Sequence, residues 1–236
     1  MITLAIDSSS KAATAALFKD GFLLGEITLN NKKEHSVILM TIIEDLIKFN
    51  KLTIQDIDGY IVSKGPGSFT GLRIGMATIK GLSFGSNKPY VSVSSLDALA
   101  YSVSNFDGII CPIMDALRNS VYTALYKCEN NTLEKLTDYS ALDLDDLISI
   151  IKEKHEKVIF IGDGLDKYKD YLKENCPDCC FPPAHLNIVR ASSLCELGNR
   201  LLEAGQYDDT NSGPIYLKKS QAEREYEQRM QLKNEC

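Results

Sequence analysis

The chain has 236 residues, 44% of them hydrophobic and 25% charged, which excludes a largely disordered protein and leaves enough apolar material for a core. Its 26 Lys and Arg against 32 Asp and Glu give a net charge of −6, which argues against a protein that grips nucleic acid by its own basic face. The charge is uneven: residues 1–105 hold 10 basic and 9 acidic residues, residues 106–236 hold 16 and 23, and all seven cysteines lie in the second part, so a boundary is expected near Phe106 and Gly108.

Residues 2–6 are a short apolar run, read as a buried strand ending at Asp7. No basic segment with a long apolar stretch opens the chain, no run approaches membrane-span length, and the cysteine count is odd. Together these lead us to expect a cytoplasmic protein with no membrane contact. Residues 13–18 and 22–29 read as two more strands, joined by an Asp20-Gly21 turn. Residues 36–49 are helical by length and contain neither Gly nor Pro. Their apolar side chains cover more than one face, so the helix is either sandwiched inside the fold or shared with a partner. Residues 53–56 suggest a capped turn and 59–64 a strand. A glycine-rich stretch from Gly65 to Gly75 then runs into a helix to about Phe84. A strand over 90–93 and a helix capped by Ser94 or Ser95 follow.

Three meandering strands followed by helix-connected strands suggest a mixed sheet of the ribonuclease-H-like kind. The second part opens the same way, with strands over 109–114, 120–128 and 132–139, a helix over 142–154, a strand over 158–161, and helices over 165–173 and 192–204. At an offset of 108, Ile6 pairs with Met114, Asp7 with Asp115, Leu17 with Leu125 and Phe18 with Tyr126. The expected fold is therefore α/β, with two similar lobes over 1–105 and 106–217 and a polar tail over 218–236.

Glycines let backbone amides approach a ligand, and a helix N-terminus favours anions. Gly65, Gly67, Ser68, Thr70, Gly71 and Arg73 are thus candidates for anion binding, with a tight turn for close helix packing as the alternative. The stretch is neither a Walker A loop nor a dinucleotide-binding fingerprint. Asp7 and Asp115 at strand ends suit metal-assisted phosphate chemistry. Their turns, Ser8-Ser9-Ser10 and Ala116-Leu117-Arg118-Asn119, lack the glycine such sites use, which favours a role in satisfying local turn amides. His35, His155 and His185 are far apart, with no His-x-x-x-His pair. Cys176 and Cys179 have zinc-knuckle spacing, and His185 and Cys195 would complete four ligands; a bland cysteine-rich loop is the favoured reading.

Ile6-Asp7-Ser8-Ser9, the stretch from Val62 through Gly65-Pro66-Gly67-Ser68-Phe69-Thr70-Gly71-Leu72-Arg73 to Gly75, Met114-Asp115-Ala116-Leu117-Arg118-Asn119, and Pro214-Ile215-Tyr216-Leu217 together resemble the bacterial TsaB (YeaZ) family of tRNA threonylcarbamoyladenosine biosynthesis proteins. The resemblance spans Met1 to about Leu217. It implies an actin-like fold of two ribonuclease-H-like lobes and a role in placing threonylcarbamoyl on adenosine 37 of tRNA. It further implies a non-catalytic subunit that pairs through N-lobe helices with a TsaD-like transferase, which carries the His-x-x-x-His, and supports docking of a TsaE-like ATPase.

The same resemblance makes His35, Val37, Met40, Ile43, Leu72, Met76 and Ile79 candidate interface residues and the Gly65–Arg73 loop part of the inter-lobe cleft. No cofactor is expected to be required, with ATP or ADP at the partner interface as an option. The chain alone is expected to form a homodimer and to meet tRNA only indirectly. The competing reading is an autonomous actin-like ATPase or sugar kinase, with Asp7 and Asp115 on the metal. A peptidase ranks last, because no nucleophile–base pair or metal motif is recognisable.

Overall fold

The computed structural model describes residues 1–31, 35–130 and 132–219. The strands β1 (Ile2–Asp7), β2 (Ala13–Lys19), β3 (Phe22–Leu29), β4 (Gly59–Ser63) and β5 (Tyr90–Val93) form one sheet in the order β3-β2-β1-β4-β5. The first three are antiparallel, and β4 and β5 add in parallel. Asp20 and Gly21 both take positive φ, 51° and 82°, which matches the twist of the β2–β3 hairpin.

β1 is central, and nearly every residue of it is buried. Its alternation assigns the faces. Leu4 and Ile6 pack with Leu39, Ile43 and Leu46 of α1 (His35–Phe49) and with Met76 and Ile79 of α2 (Phe69–Ser86). Ala5 faces the other way, in a core with Leu96 and Leu99 of α3 (Ser95–Tyr101) and Leu194 and Leu202 of α6 (Ala191–Glu203). Small residues let α6 sit close: a Cβ on Gly198 would lie 2.6 Å from the Ile61 side chain.

The second sheet contains β6 (Ile109–Asp115), β7 (Ser120–Thr123), β8 (Tyr126–Glu129), β9 (Thr132–Lys135), β10 (Ser140–Asp143) and β11 (Val158–Ile161). Ile113 pairs with Thr123 and Ile110 with Tyr126, so β7 and β8 keep one register against β6 and form a single strand interrupted at Ala124 and Leu125. β9 and β10 are likewise one third strand, with a register change between them. β11 runs parallel to β6, and Cys180 bridges Ile159 in parallel beyond it. The order third-second-first-fourth-fifth therefore recurs, the fifth strand being reduced to one bridge. This is the expected actin-like arrangement of two ribonuclease-H-like lobes. Helices α4 (Leu144–Lys154) and α5 (Leu165–Asn175) cover one face of this sheet through Leu147, Ile151 and Leu172.

Three expectations change. The helix expected from residue 142 begins at Leu144, because Leu142 pairs with Val121 in β10. The 108-residue offset holds for β1 and β6 only. Ile6 pairs with Ala15 and Met114 with Tyr122, so the second strands align at an offset of 107 and Leu17 does not match Leu125. Finally, α6, grouped by sequence with the second lobe, packs on β1, β2, β4 and β5 of the first sheet. Residues 208–217 return there too: Asp208 N–H donates to Tyr90 O at 2.9 Å and Ile215 N–H to Lys64 O at 2.7 Å. The polar tail lies outside the described residues from 220 onward.

Candidate functional site

Asp7 ends β1 and is fully buried, and its Oδ1 accepts the Ser9 N–H at 3.2 Å. The glycine-rich loop closes directly onto the turn that follows. A Cβ on Gly67 would lie 2.2 Å from Ser9 O, and one on Gly71 would lie 1.9 Å from Ser8 O. Only glycine permits such an approach. The contacts are polar as well as close: Ser68 N–H donates to Ser9 O at 2.6 Å, and Ser8 Oγ donates to Gly71 O at 2.9 Å. Ser68 caps α2 by accepting the Gly71 N–H at 3.3 Å, and the Leu72 N–H goes to Ser68 O. The amides of Ser68, Gly71 and Leu72 at the start of α2 are thus engaged by the chain itself. The loop is a packing joint, its glycines set against the Ser8 and Ser9 carbonyls.

The stretch around Pro214 to Leu217 meets this joint. A Cβ on Gly65 would lie 3.2 Å from Ile215 O. Arg73 lies over the Phe69 ring at 4.1 Å and donates through Nε to the Tyr216 hydroxyl at 3.1 Å, while Phe69 and Tyr216 have ring centroids 4.5 Å apart. Lys80 donates to Thr210 O and Ser212 O. Residues 208–217 are therefore a strap along α2, held at Lys80 and at Arg73, and Thr70 is exposed.

Asp115 serves its own turn. Its Oδ1 accepts the Leu117 N–H at 3.0 Å and the Tyr168 hydroxyl at 3.4 Å, with Lys167 Nζ at 3.9 Å. Its backbone N–H donates to Asp163 Oδ1 at 3.2 Å. Burial pushes Asp163 up to about 6, with the Asp115 charge adding to it. Sequence reasoning missed Asp163. The available signal was Gly162-Asp163-Gly164 at the end of β11, where Gly162 takes φ +121° and a Cβ would strike Ile113 O at 2.3 Å.

The four zinc candidates do not come together. Cys176 and Cys179 share a thiol hydrogen bond, and burial raises both thiols, Cys179 to about 11. Cys195 lies on the buried face of α6 with its thiol toward Ala16 O at 3.8 Å, and His185 sits exposed on a separate 3₁₀ turn. Among the described residues no group of three His, Cys, Asp or Glu side chains is placed to hold a metal.

The interface candidates divide. Val37 and Met40 are exposed, at 66% and 47%. Ile43, Leu72, Met76 and Ile79 are 0–4% exposed and belong to the core, because the inner faces of α1 and α2 must cover β1, β2 and β4. The side chain of His35 lies outside the described residues. The outer face of α2 instead presents Ala77, Gly81, Phe84 and Gly85, with Phe84 89% exposed. A Cβ on Gly81 or Gly85 would meet nothing within 4 Å, so these helix-interior glycines serve no contact inside the chain. No helix among the described residues is long and apolar enough to cross a membrane.

A family described as TsaD, tRNA N6-adenosine threonylcarbamoyltransferase, matches residues 22–226. The chain is 35% identical to the tRNA threonylcarbamoyladenosine biosynthesis protein TsaB of Bacillus subtilis, over 94% of this chain and 96% of that one. The chain belongs to the TsaB family. It is also 27% identical to TsaB of Escherichia coli, over 74% of this chain and 77% of that one. A crystal structure from Pseudomonas aeruginosa, described as an uncharacterized protein with similarity to peptidase YEAZ, superposes with a TM-score of 0.78 at 22% identity, covering 92% of this chain and 99% of that one. That likeness bears on fold alone. In this TsaB family member, three of the four stretches that carried the resemblance meet at one place, the joint between Ser8-Ser9, the glycine loop and the strap, while Met114–Asn119 lies at the Asp115 turn.

Proposed function

We propose that this chain is a non-catalytic subunit in the formation of threonylcarbamoyladenosine at position 37 of tRNA. It pairs with a TsaD-like transferase, holds it in its active conformation and supports docking of a TsaE-like ATPase. The observation that carries this reading is the apolar exposure on α1 and α2: Val37 and Met40 on α1, and Phe84 beside Gly81 and Gly85 on α2. Exposed apolar side chains beside helix-interior glycines suit the close approach of a partner helix. Without its partner the chain uses the same residues to form a homodimer.

Two further features support an accessory role. The sequence holds no His-x-x-x-His pair, and Gly67 and Gly71 of the glycine loop are taken up by close packing on the Ser8-Ser9 turn. ATP or ADP, where it takes part, sits at the interface with the partner. The net charge of −6 supports leaving tRNA contact to the partner.

Reconstitution tests the proposal. The chain, the transferase and the ATPase are combined with unmodified tRNA, threonine, bicarbonate, ATP and the enzyme that makes the threonylcarbamoyl donor. Modified adenosine is then measured with each subunit left out in turn. Modification that depends on this chain and survives Asp7→Asn supports the reading. Hydrolysis of ATP by the isolated chain that is lost in Asp7→Asn would overturn it in favour of an autonomous ATPase.

A further inference from the structure

Away from α1 and α2, a cleft of about 360 Å³ lies between the first sheet, the β8–β9 hairpin and α6. Its apolar lining comes from Val93, Leu133, Leu197 and Leu201. Asp97, in the first turn of α3, accepts the Tyr126 hydroxyl at 2.7 Å and the Tyr139 hydroxyl at 2.9 Å. Tyr126 is 1% exposed, so this is a desolvated polar group at the edge of an apolar space. Burial and the Asp97 charge hold both phenols well above the ordinary tyrosine range, so they stay protonated and keep donating to the carboxylate.

Two lysines line the same cleft. Lys135 Nζ lies over the Tyr139 ring at 4.0 Å and approaches one carboxylate, the fully exposed Asp138, at 3.7 Å. Lys64 Nζ makes no hydrogen bond or ion pair among the described residues. Two lysines in one cleft favour an anionic occupant. Asp97 offsets one of the two lysine charges, so the cleft keeps one net positive charge. A cleft of this size, at the small end of ligand pockets and mostly apolar with a few convergent polar groups, suits a compact amphipathic molecule.

We infer that the cleft binds a small organic carboxylate with an aromatic or branched apolar body, its acid group held by Lys64 and Lys135 and its body laid against Tyr139 and Leu197. This assignment is independent of the docking role of α1 and α2. Lys64 is also the residue that leads into the glycine loop, and its backbone is tied to Val93 O at 2.9 Å and to Ile215 N at 2.7 Å. An occupant would therefore lie against the backbone that carries α2.

The test is an NMR titration of the intact isolated chain with benzoate and with 3-methylbutanoate, using benzyl alcohol and benzylamine as neutral and cationic counterparts. The same titrations are run on Lys64→Met and Lys135→Met, with thermal unfolding to show that both variants are folded. The expected result is saturable shifts at cleft residues with at least one carboxylate, and affinity about ten-fold weaker in each lysine variant and for benzyl alcohol. Absence of saturable shifts with both carboxylates, equal or tighter binding of benzylamine, or undiminished carboxylate affinity in both lysine variants would overturn the inference.

Discussion

The glycines of this chain do two different jobs, and single substitutions separate them. At Gly71 a methyl group would overlap the Ser8 carbonyl, which is backbone and cannot swing aside. Gly71→Ala is expected to cost about 2 kcal/mol or more in urea unfolding, despite the better helix propensity of alanine. At Gly81 the space is open, so Gly81→Ala is expected to stabilise the isolated chain by about 0.5–1 kcal/mol. Asp163 gives a prediction in pH. Its folded value of about 6 lies above the ordinary aspartate value, so the native state holds the proton more tightly than the unfolded chain. Stability from this group is complete below about pH 4 and is lost as pH rises through 6. Asp163→Asn keeps an oxygen for the Asp115 N–H and removes the buried charge. Its unfolding free energy in urea should match the parent at pH 4 and exceed it at pH 7, by on the order of 2 kcal/mol. The glycine spacing was legible in the sequence as a tight joint or an anion loop. It could not decide between them, because the choice rests on Ser8 and Ser9, about sixty residues earlier in the chain.

Elements were legible where a pattern was local. The central strands, the Asp20-Gly21 hairpin, α1, α2 and α4 follow from apolar runs, turn residues and helical spacing. β10 was missed because its pairing partner, β7, lies about twenty residues away and four residues carry little period. The placement of α6 failed for a related reason: an amphipathic pattern shows which face of a helix is apolar but not which sheet covers it. The structure makes α6 the lid on the inner face of the first sheet, with Leu194 fully buried and Leu202 nearly so. Residues 1–105 expressed alone would leave Ala5, Ala16, Phe18, Ile61 and Val91 without that cover. This fragment is expected to show no cooperative thermal transition, whereas the full chain should. A sharp transition in the fragment would contradict the assignment of α6.

At the scale of the whole molecule, two sheets of one topology share a continuous core, and an apolar helical face is left outward on the first of them. The sequence showed that α1 is apolar on more than one side. It could not separate Met40 from Ile43, since both lie in one apolar run and only the packed sheet decides which turns inward. That distinction sets the central test. Ile43→Asp would bury a charge and unfold the protein, so it says nothing about docking. Met40→Asp and Phe84→Asp place charges on the outer face and leave the core intact. The deciding measurement is calorimetric titration of the TsaD-like partner with the parent chain and with the double variant, at matched thermal stability. The account predicts affinity weaker by about 100-fold in the double variant. Undiminished affinity in a folded double variant would contradict it.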